Sequence, residues 1–258
     1  MDNFFENRVY AITGATSGIG EAVAMELAKN GARVLALGRN EEKLKNLLAN
    51  LEGENHSYRL FDSNRLETCE EAIKSGVEEM GKLSGFVHSA GIVYNMLLRD
   101  LDFDKLHEIL QINLVCFFAF AKAACKMGRY EKGDMSVVGI SSDCTNNTPP
   151  AQAAYTASKA ALNATISTFS KEYANRKIRF NSVAPSFVQT NMALQFANEI
   201  LGGNEYLNRL QEKMHLGVIM PNEAAEAVLF LLSNKTNKIT NSSIKISGGI
   251  WWFFDGLI

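Results

Sequence analysis

The chain has 258 residues, of which 47% are hydrophobic and 21% are charged. This balance is typical of a folded globular protein and excludes a disordered, collagen-like or low-complexity chain. Its 26 basic and 28 acidic residues give a formal net charge of -2 and form no block of like charge. The charge pattern therefore argues against binding to nucleic acid or to an anionic membrane surface.

The four cysteines, Cys69, Cys116, Cys125 and Cys144, show no C-x-x-C spacing and no nearby paired histidines. We therefore expect neither a metal site nor disulfides, but reduced thiols in a cytoplasmic protein. The acidic N-terminal stretch lacks the pattern of a secretory signal. The apolar run at 114–121 is shorter than the about 20 residues that a membrane span needs, so no membrane helix is expected.

Patterns typical of strands and helices alternate along the chain. In chain order, the predicted elements are a strand at 9–13, a helix from about 19, a strand at 32–37, a helix capped by Asn40, a strand at 57–61, a helix at 66–80, a strand from about 86 to 88, a long helix at about 102–127, a strand at 135–141, a second long helix at about 152–174, a strand at 179–184, a broken helical segment at 191–220, a helix at 221–232 and a strand at 243–246. This alternation predicts an α/β protein whose seven-stranded parallel sheet is doubly wound, with helices on both faces. No linker or repeat divides the sequence, so we expect one domain over 1–258.

The first predicted strand runs into a glycine-rich turn at 13–20, which reads T-G-A-T-S-G-I-G. Glycines let the backbone approach a ligand closely, and the N-terminus of the following helix attracts a pyrophosphate. An ordinary glycine-rich turn is the alternative, but the position between the first strand and the first helix favours dinucleotide binding. The predicted contacts are Gly14, Thr16, Ser17, Gly18, Ile19 and Gly20.

The residue after the second strand favours one of the two nicotinamide cofactors. An acidic residue there binds the ribose hydroxyls of NAD, whereas a basic residue pairs with the 2′-phosphate of NADP. This chain has Arg39 at that place and no carboxylate before Glu41. We therefore expect NADP (NADPH) rather than NAD, the alternative being that Arg39 is a solvated loop residue.

Tyr155 and Lys159 lie four residues apart near the start of a predicted helix, so their side chains share one face. A free tyrosine has a pKa of about 10 and is a poor acid–base group at neutral pH. Lowering that pKa to about 7 requires roughly 4 kcal/mol. One ammonium about 4 Å away supplies this in an effective dielectric of about 20. The pair can therefore give a proton to a carbonyl oxygen, although the same spacing also arises by chance on surface helices.

Ser142 follows the fifth strand, at the carboxyl edge of the sheet where such proteins bind ligands. A hydroxyl at this edge can hold a substrate carbonyl. The neighbouring Ser141 is an equal candidate on strand geometry alone.

Together, the glycine motif at 13–20 and the Y-T-A-S-K motif at 155–159 resemble the short-chain dehydrogenase/reductase family, over nearly the whole chain. The similarity is closest to the 3-oxoacyl-carrier-protein reductases. It implies a Rossmann fold and NADP-dependent reduction of a ketone, for example a carrier-bound 3-oxoacyl thioester. Family spacing assigns the catalytic serine to Ser142.

The resemblance also assigns Asn113 as the catalytic asparagine, which in the family kinks its helix and holds a water between the lysine and solvent. The alternative is an ordinary polar helix residue. Further cofactor contacts implied by the resemblance, besides Tyr155 and Lys159, are Asp62, Ser63, Ser89, Ala90, Gly91, Pro185, Val188 and Thr190.

The sequence departs from the family pattern at several places. His88-Ser89 replaces the usual asparagine element after the fourth strand, and Ser186 replaces a glycine after Pro185. Asn241 and Ser247 replace a glycine and an aspartate near the C-terminus. We interpret His88 as structural, with a titrating catalytic histidine as the alternative.

The family places its substrate lid at about 191–220, which is apolar here, although these residues could simply pack on the domain. Tyr94 and Phe187 are the expected walls of the substrate pocket. The aromatic tail at 250–254 is expected to pack across a subunit boundary. The family resemblance implies a homotetramer or homodimer, with the two long helices at one interface.

Two other functions fit parts of the pattern. One is a catalytically silent NADP-binding regulator or scaffold, which the four catalytic matches disfavour and the altered His88-Ser89 element leaves open. A sugar-nucleotide epimerase or dehydratase also uses a Y-x-x-x-K pair, but such enzymes resemble T-G-x-x-G-x-x-G in the first turn and carry a larger C-terminal region. The glycine spacing of this chain disfavours the second alternative.

Overall fold

The sheet that organises the molecule is seen in a computed structural model, which describes residues 4–195 and 204–250. All of its strand pairs are parallel, in the order β3-β2-β1-β4-β5-β6-β7, which confirms the predicted seven-stranded, doubly wound sheet. The strands are β1 (Val9–Thr13), β2 (Arg33–Gly38), β3 (Ser57–Leu60), β4 (Leu83–His88), β5 (Ser136–Ile140), β6 (Arg179–Pro185) and β7 (Ser243–Ile246).

Helices cover both faces of this sheet. The helices are α1 (Gly18–Lys29), α2 (Glu41–Asn50), α3 (Leu66–Met80), α4 (Phe103–Leu110), α5 (Cys116–Ala124), α6 (Ala153–Glu172), α7 (Asn204–Lys213) and α8 (Pro221–Leu232), with short 3-10 turns at Leu98–Asp100, Asp143–Thr145, Ala174–Arg176 and Asn234–Thr236. One apolar cluster joins the sheet to α1, α2 and α8, and another joins it to α3, α5 and α6.

The strand order reverses between β1 and β4. The chain builds β1, β2 and β3 outward in one direction and then returns to place β4 on the other side of β1. Thr13 pairs with His88 in this register, so the turns that follow the two strands separate at the same edge. A crevice outside the carboxyl ends of the strands is where such sheets bind ligands.

Strand β4 begins at Leu83, earlier than the predicted start near 86. Ser84 and Gly85 have low strand propensity, but both are buried, and Gly85 pairs with Tyr10 and with Ser136. Pairing with two neighbouring strands outweighs the local preference.

The predicted long helix at about 102–127 is a composite in the structure. A π-helical segment, Gln111–Val115, separates α4 from α5, and α5 ends at Ala124. By length and composition alone, Phe103–Ala124 could cross a membrane. Its Phe117 and Phe120 are instead fully buried in the core cluster beside α3, as expected of a helix in a protein core.

Arg179, in β6, donates hydrogen bonds to the C-terminal end of α8 and to the segment after it. Its guanidinium donates to the carbonyl of Leu231 at 2.8 Å, to Thr236 Oγ1 at 3.0 Å and to the carbonyl of Ser233 at 3.2 Å. Burial lowers the pKa of Arg179 to about 10 but leaves the group charged at neutral pH. One side chain therefore satisfies several acceptors at the end of α8.

We predict that Arg179→Met lowers the free energy of unfolding by about 2–4 kcal/mol, because hydrogen bonds from a charged donor are lost. Urea denaturation measures this value. Lys82→Met is the matched control: Lys82 is exposed, and its loss should change stability by less than about 0.5 kcal/mol. Equal effects of the two substitutions would contradict the role of Arg179.

Candidate active site

A cleft of about 260 Å³ opens at the carboxyl edge of β1, β4, β5 and β6. It lies at the reversal of strand order. Most of the residues that the sequence predicted for catalysis, cofactor or substrate contact line it: Gly14, Ser17, Gly18, Ile19, Ser89, Ala90, Gly91, Ser142, Tyr155, Lys159, Pro185, Phe187, Val188 and Thr190.

The other predicted site residues lie beside the cleft or away from it: Thr16, Gly20, Arg39, Asp62, Ser63, Tyr94 and Asn113. Tyr94 differs most from its expected place in the pocket wall. Its hydroxyl donates to Glu108 at 2.9 Å, and the Lys105 ammonium lies 5.4 Å from its ring centroid. These contacts with α4 hold Tyr94 outside the cleft, and the neighbouring Val93 lines the wall instead.

The glycine turn leaves bare backbone at one end of the cleft. A Cβ on Gly14 (φ +67°) would lie 2.7 Å from the amide nitrogen of Ala90, and a Cβ on Gly20 would lie 2.3 Å from the carbonyl oxygen of Gly14. Ser17 precedes α1 without capping it through its side chain. The turn thus has the close-packed backbone and uncapped helix N-terminus that fit the pyrophosphate of a dinucleotide.

The second and third strands end beside this turn. Arg39 is exposed and forms no ion pair within residues 4–195 and 204–250. Phe61 donates its amide to the carbonyl of Gly38 at 3.1 Å, which keeps Asp62 at the same edge. The carbonyl of Ser63 accepts from Gln111 Nε2 at 2.5 Å, linking this edge to the π-helical segment. These residues fit the adenosine end of a dinucleotide.

Lys159 and Tyr155 lie in the first turns of α6. Lys159 is buried, its Nζ donates to the carbonyl of Ile140 at 2.7 Å, and Nζ lies 5.6 Å from the Tyr155 ring centroid. Burial lowers the pKa of Lys159 to about 8. The same buried surroundings disfavour the phenolate of Tyr155.

Burial raises the pKa of Tyr155 above its ordinary value, while a hydrogen bond with Ser142 acts in the opposite direction. The structure thus differs from the expectation of a lowered phenol pKa. The reason is that the Lys159 ammonium is held at the Ile140 carbonyl, and burial is the largest influence on the phenol. In the chain by itself, Tyr155 keeps its proton at neutral pH.

The structure distinguishes the two candidate serines. Ser142 is half-buried, and its hydroxyl accepts from the Cys144 amide at 3.3 Å as well as contacting Tyr155. Ser141 is buried, and its amide donates to Val183 at 2.8 Å across the sheet. Ser142 is therefore the serine whose hydroxyl meets Tyr155.

Asn113 occupies the π-helical segment and is fully buried. Its Oδ1 accepts from the Ile92 amide at 2.8 Å, and its Nδ2 donates to the Ile92 carbonyl and to Ser158 Oγ, both at 3.0 Å. A Cβ on Gly91 would lie 3.3 Å from Asn113 Oδ1 and 3.4 Å from Lys159 Nζ. Asn113 and Lys159 therefore meet at the same glycine.

Comparison with known proteins gives matches over almost the whole chain. A family model described as Enoyl-(Acyl carrier protein) reductase matches residues 14–250. The 3-oxoacyl-[acyl-carrier-protein] reductase FabG of Rickettsia felis is 36% identical over 248 residues, covering 93% of this chain and 95% of the relative. The relative of the same name from Thermotoga maritima is 31% identical, covering 95% of this chain and 98% of that one.

Solved structures show the same architecture. A variant of the actinorhodin polyketide ketoreductase with NADPH matches with a TM-score of 0.88 and 27% identity, covering 94% of this chain and 97% of that one. A short-chain dehydrogenase/reductase of Brucella melitensis, described as a glucose/ribitol dehydrogenase, matches with a TM-score of 0.86 and 26% identity, covering 97% and 99%. The chain belongs to the short-chain dehydrogenase/reductase family. It is therefore an oxidoreductase of a family that binds nicotinamide cofactors.

His88, which departs from the family pattern, is fully buried at the end of β4. Its Nδ1 lies 3.0 Å from Thr13 Oγ1, which also accepts from the Ala90 amide at 3.3 Å. Burial, with a contribution from the positive Lys159, lowers the pKa of His88 to about 3. A neutral ring that joins the ends of β1 and β4 fits the structural interpretation of this residue.

Sequence reasoning missed several residues of the cleft wall. Asp143, Cys144, Asn147 and Gln152 also line it. All four lie between Ser142 and Tyr155 in the chain, and this position was the available signal. Their residue types match no motif, so the sequence alone did not single them out.

Parts of the expected lid and tail lie outside the described residues, namely 196–203 and 251–258. Within the lid range, residues 191–195 are helical, and Met192 and Ala193 line the cleft. Leu210, Met214 and Ile219 pack with Phe187 and Val188 in an apolar cluster beside it. Among the described residues, no group of three or more His, Cys, Asp and Glu side chains is placed to hold a metal ion.

We predict that His88→Asn reduces the acid sensitivity of the fold. With a folded pKa of about 3 and an ordinary value of 6.5, His88 takes up a proton in the unfolded state first. The wild-type chain therefore loses stability as the pH falls from about 6.5 towards 3. Urea denaturation at several pH values should show a flatter dependence for His88→Asn.

His107→Asn is the control, because His107 is exposed on α4. It should retain the wild-type slope of stability against pH. A His88→Asn slope equal to that of this control would contradict the assignment of a buried, neutral His88.

Proposed function

We propose that this protein is an NADPH-dependent reductase of a ketone, working reversibly as an alcohol dehydrogenase. The observation that carries the proposal is the meeting of Tyr155, Ser142 and Lys159 in a cleft that begins at the glycine turn. A bound nicotinamide cofactor supplies the hydride. The protein must then orient the carbonyl and deliver a proton to its oxygen.

Four side chains have separate roles in orienting the carbonyl and delivering the proton. The Ser142 hydroxyl holds the substrate oxygen beside Tyr155, which gives its proton to that oxygen. The raised pKa of Tyr155 suits this direction because the phenol stays protonated until the reaction. Lys159, buried and positively charged below a pKa of about 8, stabilises the phenolate that remains and binds the nicotinamide ribose. Asn113, beside Lys159 at Gly91, supports the return of a proton through water.

The names of the relatives favour a 3-oxoacyl thioester as the ketone, with the acyl group on a carrier. The NADPH-bound ketoreductase among the similar structures also favours ketone reduction. The description of the family model raises a second candidate, reduction of an enoyl thioester. Ser142 and Tyr155 line the same cleft, and Ser142 influences the phenol directly. Two neighbouring hydroxyls can bind one carbonyl oxygen, which favours the carbonyl reaction.

A silent NADP-binding scaffold and a sugar-nucleotide-modifying enzyme are the less favoured alternatives. Burying the Lys159 ammonium beside a phenol costs free energy, and a protein that only binds NADP would gain nothing from this pair. Arg39 supports NADP over NAD, because it is exposed at the end of β2 and free to bind a 2′-phosphate.

We further propose one domain over the whole chain, with 191–220 as a substrate lid, in a cytoplasmic homotetramer or homodimer that has no nucleic-acid or membrane partner. Free, buried cysteines are in keeping with a reducing compartment. An apolar groove lined by Leu66, Val115, Phe118 and Phe169 lies on α3, α5 and α6, which include the long helices expected at an interface.

We predict that Tyr155→Phe lowers kcat for ketone reduction by about 10²–10⁴-fold, because the proton donor is removed. Loss of NADPH absorbance would be followed with acetoacetyl and crotonyl thioesters, simple ketones, sugars and steroids. NADPH affinity, measured by fluorescence titration, should change little. Tyr173→Phe is the matched control, since Tyr173 packs beside Phe169 and Phe180, does not line the cleft, and its variant should retain activity.

If the crotonyl thioester were turned over faster than the acetoacetyl thioester, the proposed ketone reduction would be wrong and enoyl reduction would be the favoured reaction. An unchanged kcat in Tyr155→Phe would remove the proposed proton donor. No turnover of any carbonyl, with NADPH bound tightly, would favour the scaffold alternative.

We predict that Arg39→Asp raises KM for NADPH by about tenfold or more, because a contact with a dianionic phosphate is lost and a repulsion is gained. KM for NADH should change far less. Arg65→Asp is the control, since Arg65 is an exposed arginine after β3 and pairs with Glu67 in the first turn of α3. Equal changes for NADPH and NADH in Arg39→Asp would refute the NADP assignment.

A further inference from the structure

We propose that Asp143 is a positioning residue whose carboxylate clamps the Ser142 loop to the ends of β6 and β7. The proposal rests on the function given above, since Ser142 is the residue whose position matters. Asp143 directly follows Ser142 in the chain and lines the cleft. The catalytic roles given above leave it unassigned.

The carboxylate has partners on three segments of the chain. Its Oδ2 accepts from Asn147 Nδ2 at 2.8 Å and from the Ser186 hydroxyl at 3.5 Å, and its Oδ1 lies 3.6 Å from Lys245 Nζ. Asn147 belongs to the same loop, Ser186 follows β6, and Lys245 lies in β7. One side chain thus joins the ends of three neighbouring strands.

Both carboxylate oxygens already have partners within the protein. The Asp143 side chain is only 9% exposed, and a carboxylate so buried is stable only when paired or hydrogen-bonded. Asn147, Ser186 and Lys245 provide this pairing without a ligand. A clamp between segments therefore fits the geometry better than a binding site for substrate.

The loop held by this clamp is a compact turn. The Ser142 carbonyl accepts from the Thr145 amide at 3.3 Å and from Thr145 Oγ1 at 3.0 Å. The Asp143 carbonyl accepts from the amides of Asn146 at 2.9 Å and Asn147 at 3.0 Å. These local bonds fix the shape of the turn. The carboxylate fixes where the turn, and with it the Ser142 hydroxyl, stands relative to β6 and β7.

The clamp also accounts for a departure from the family pattern. Ser186 replaces the glycine expected after Pro185, and its hydroxyl is the group that reaches Asp143. Pro185, Phe187 and Val188 line the same cleft as Ser142. The contact from Ser186 therefore joins the serine loop to the segment expected at the nicotinamide.

The clamp should affect geometry more than stability. Lys245 is 54% exposed, and an ion pair with one solvated partner contributes little to the free energy of folding. A displacement of about 1 Å in a catalytic group, however, can cost about 10²-fold in rate. Loss of the clamp is therefore expected to lower kcat more than it lowers the melting temperature.

The test compares Asp143→Asn, Lys245→Met, Lys245→Arg and the double variant Asp143→Asn/Lys245→Met with wild type. We expect kcat to fall about tenfold in Asp143→Asn and about threefold in Lys245→Met, through displacement of Ser142. Lys245→Arg should restore wild-type kcat because it keeps the ion pair. The double variant should equal Asp143→Asn, since Lys245 acts only through Asp143.

NADPH affinity should stay within about twofold in every variant, because none of the side chains joined by the clamp is a predicted cofactor contact. Lys238→Met, an exposed lysine between α8 and β7, is the charge control and should match wild type. Hydrogen exchange gives a readout independent of activity. The amides of residues 144–147 should exchange about fivefold faster or more in Asp143→Asn.

Wild-type kcat and wild-type exchange in Asp143→Asn would overturn the clamp. Equal kcat losses in Lys245→Arg and Lys245→Met would also overturn it, and this pair decides the matter if Asp143→Asn does not fold. If the wild-type protein reduces no carbonyl, the proposed function fails, but faster exchange at 144–147 in the variants would still support the clamp and unchanged exchange would still refute it.

Discussion

The parallel pairing of β1 with β4 is the constraint on which the cleft depends. Because all of the strands run in one direction, their carboxyl ends meet at a single edge, and the reversal of strand order opens that edge between the two turns. The glycine turn after β1, the Ser142 loop after β5 and the segment after β6 therefore face one space. Residues far apart in the chain become neighbours through this geometry alone.

Burial of a charge is the second physical feature of the site. Lys159 loses water when α6 packs against the sheet, and the Ile140 carbonyl replaces part of that hydration. The same burial raises the pKa of Tyr155, so the chain by itself holds a protonated phenol beside a lysine with a pKa of about 8. This combination suits donation of a proton to a carbonyl more directly than it suits a standing phenolate.

Two departures from the family pattern have partners that the sequence does not reveal. His88 occupies a fully buried place and meets the Thr13 hydroxyl across the β1–β4 pair. The Ser186 hydroxyl, after β6, donates to the Asp143 carboxylate, after β5. In each case the unusual side chain gains a hydrogen-bonding contact from a neighbouring strand end. Both contacts connect neighbouring strand ends at this edge of the sheet.

The sequence by itself determined the strands, their parallel class, the glycine turn and the helical pairing of Tyr155 with Lys159, because each depends on residues close together in the chain. Strand geometry left Ser141 and Ser142 equal, the family resemblance assigned Ser142, and the tertiary structure brought its hydroxyl to Tyr155. Only the tertiary structure moved Tyr94 onto α4 and brought Asn113 to Gly91. It alone revealed the contacts of Asp143. These features depend on which strand ends and helices meet in space, and the spacing of residues along one segment does not determine such contacts.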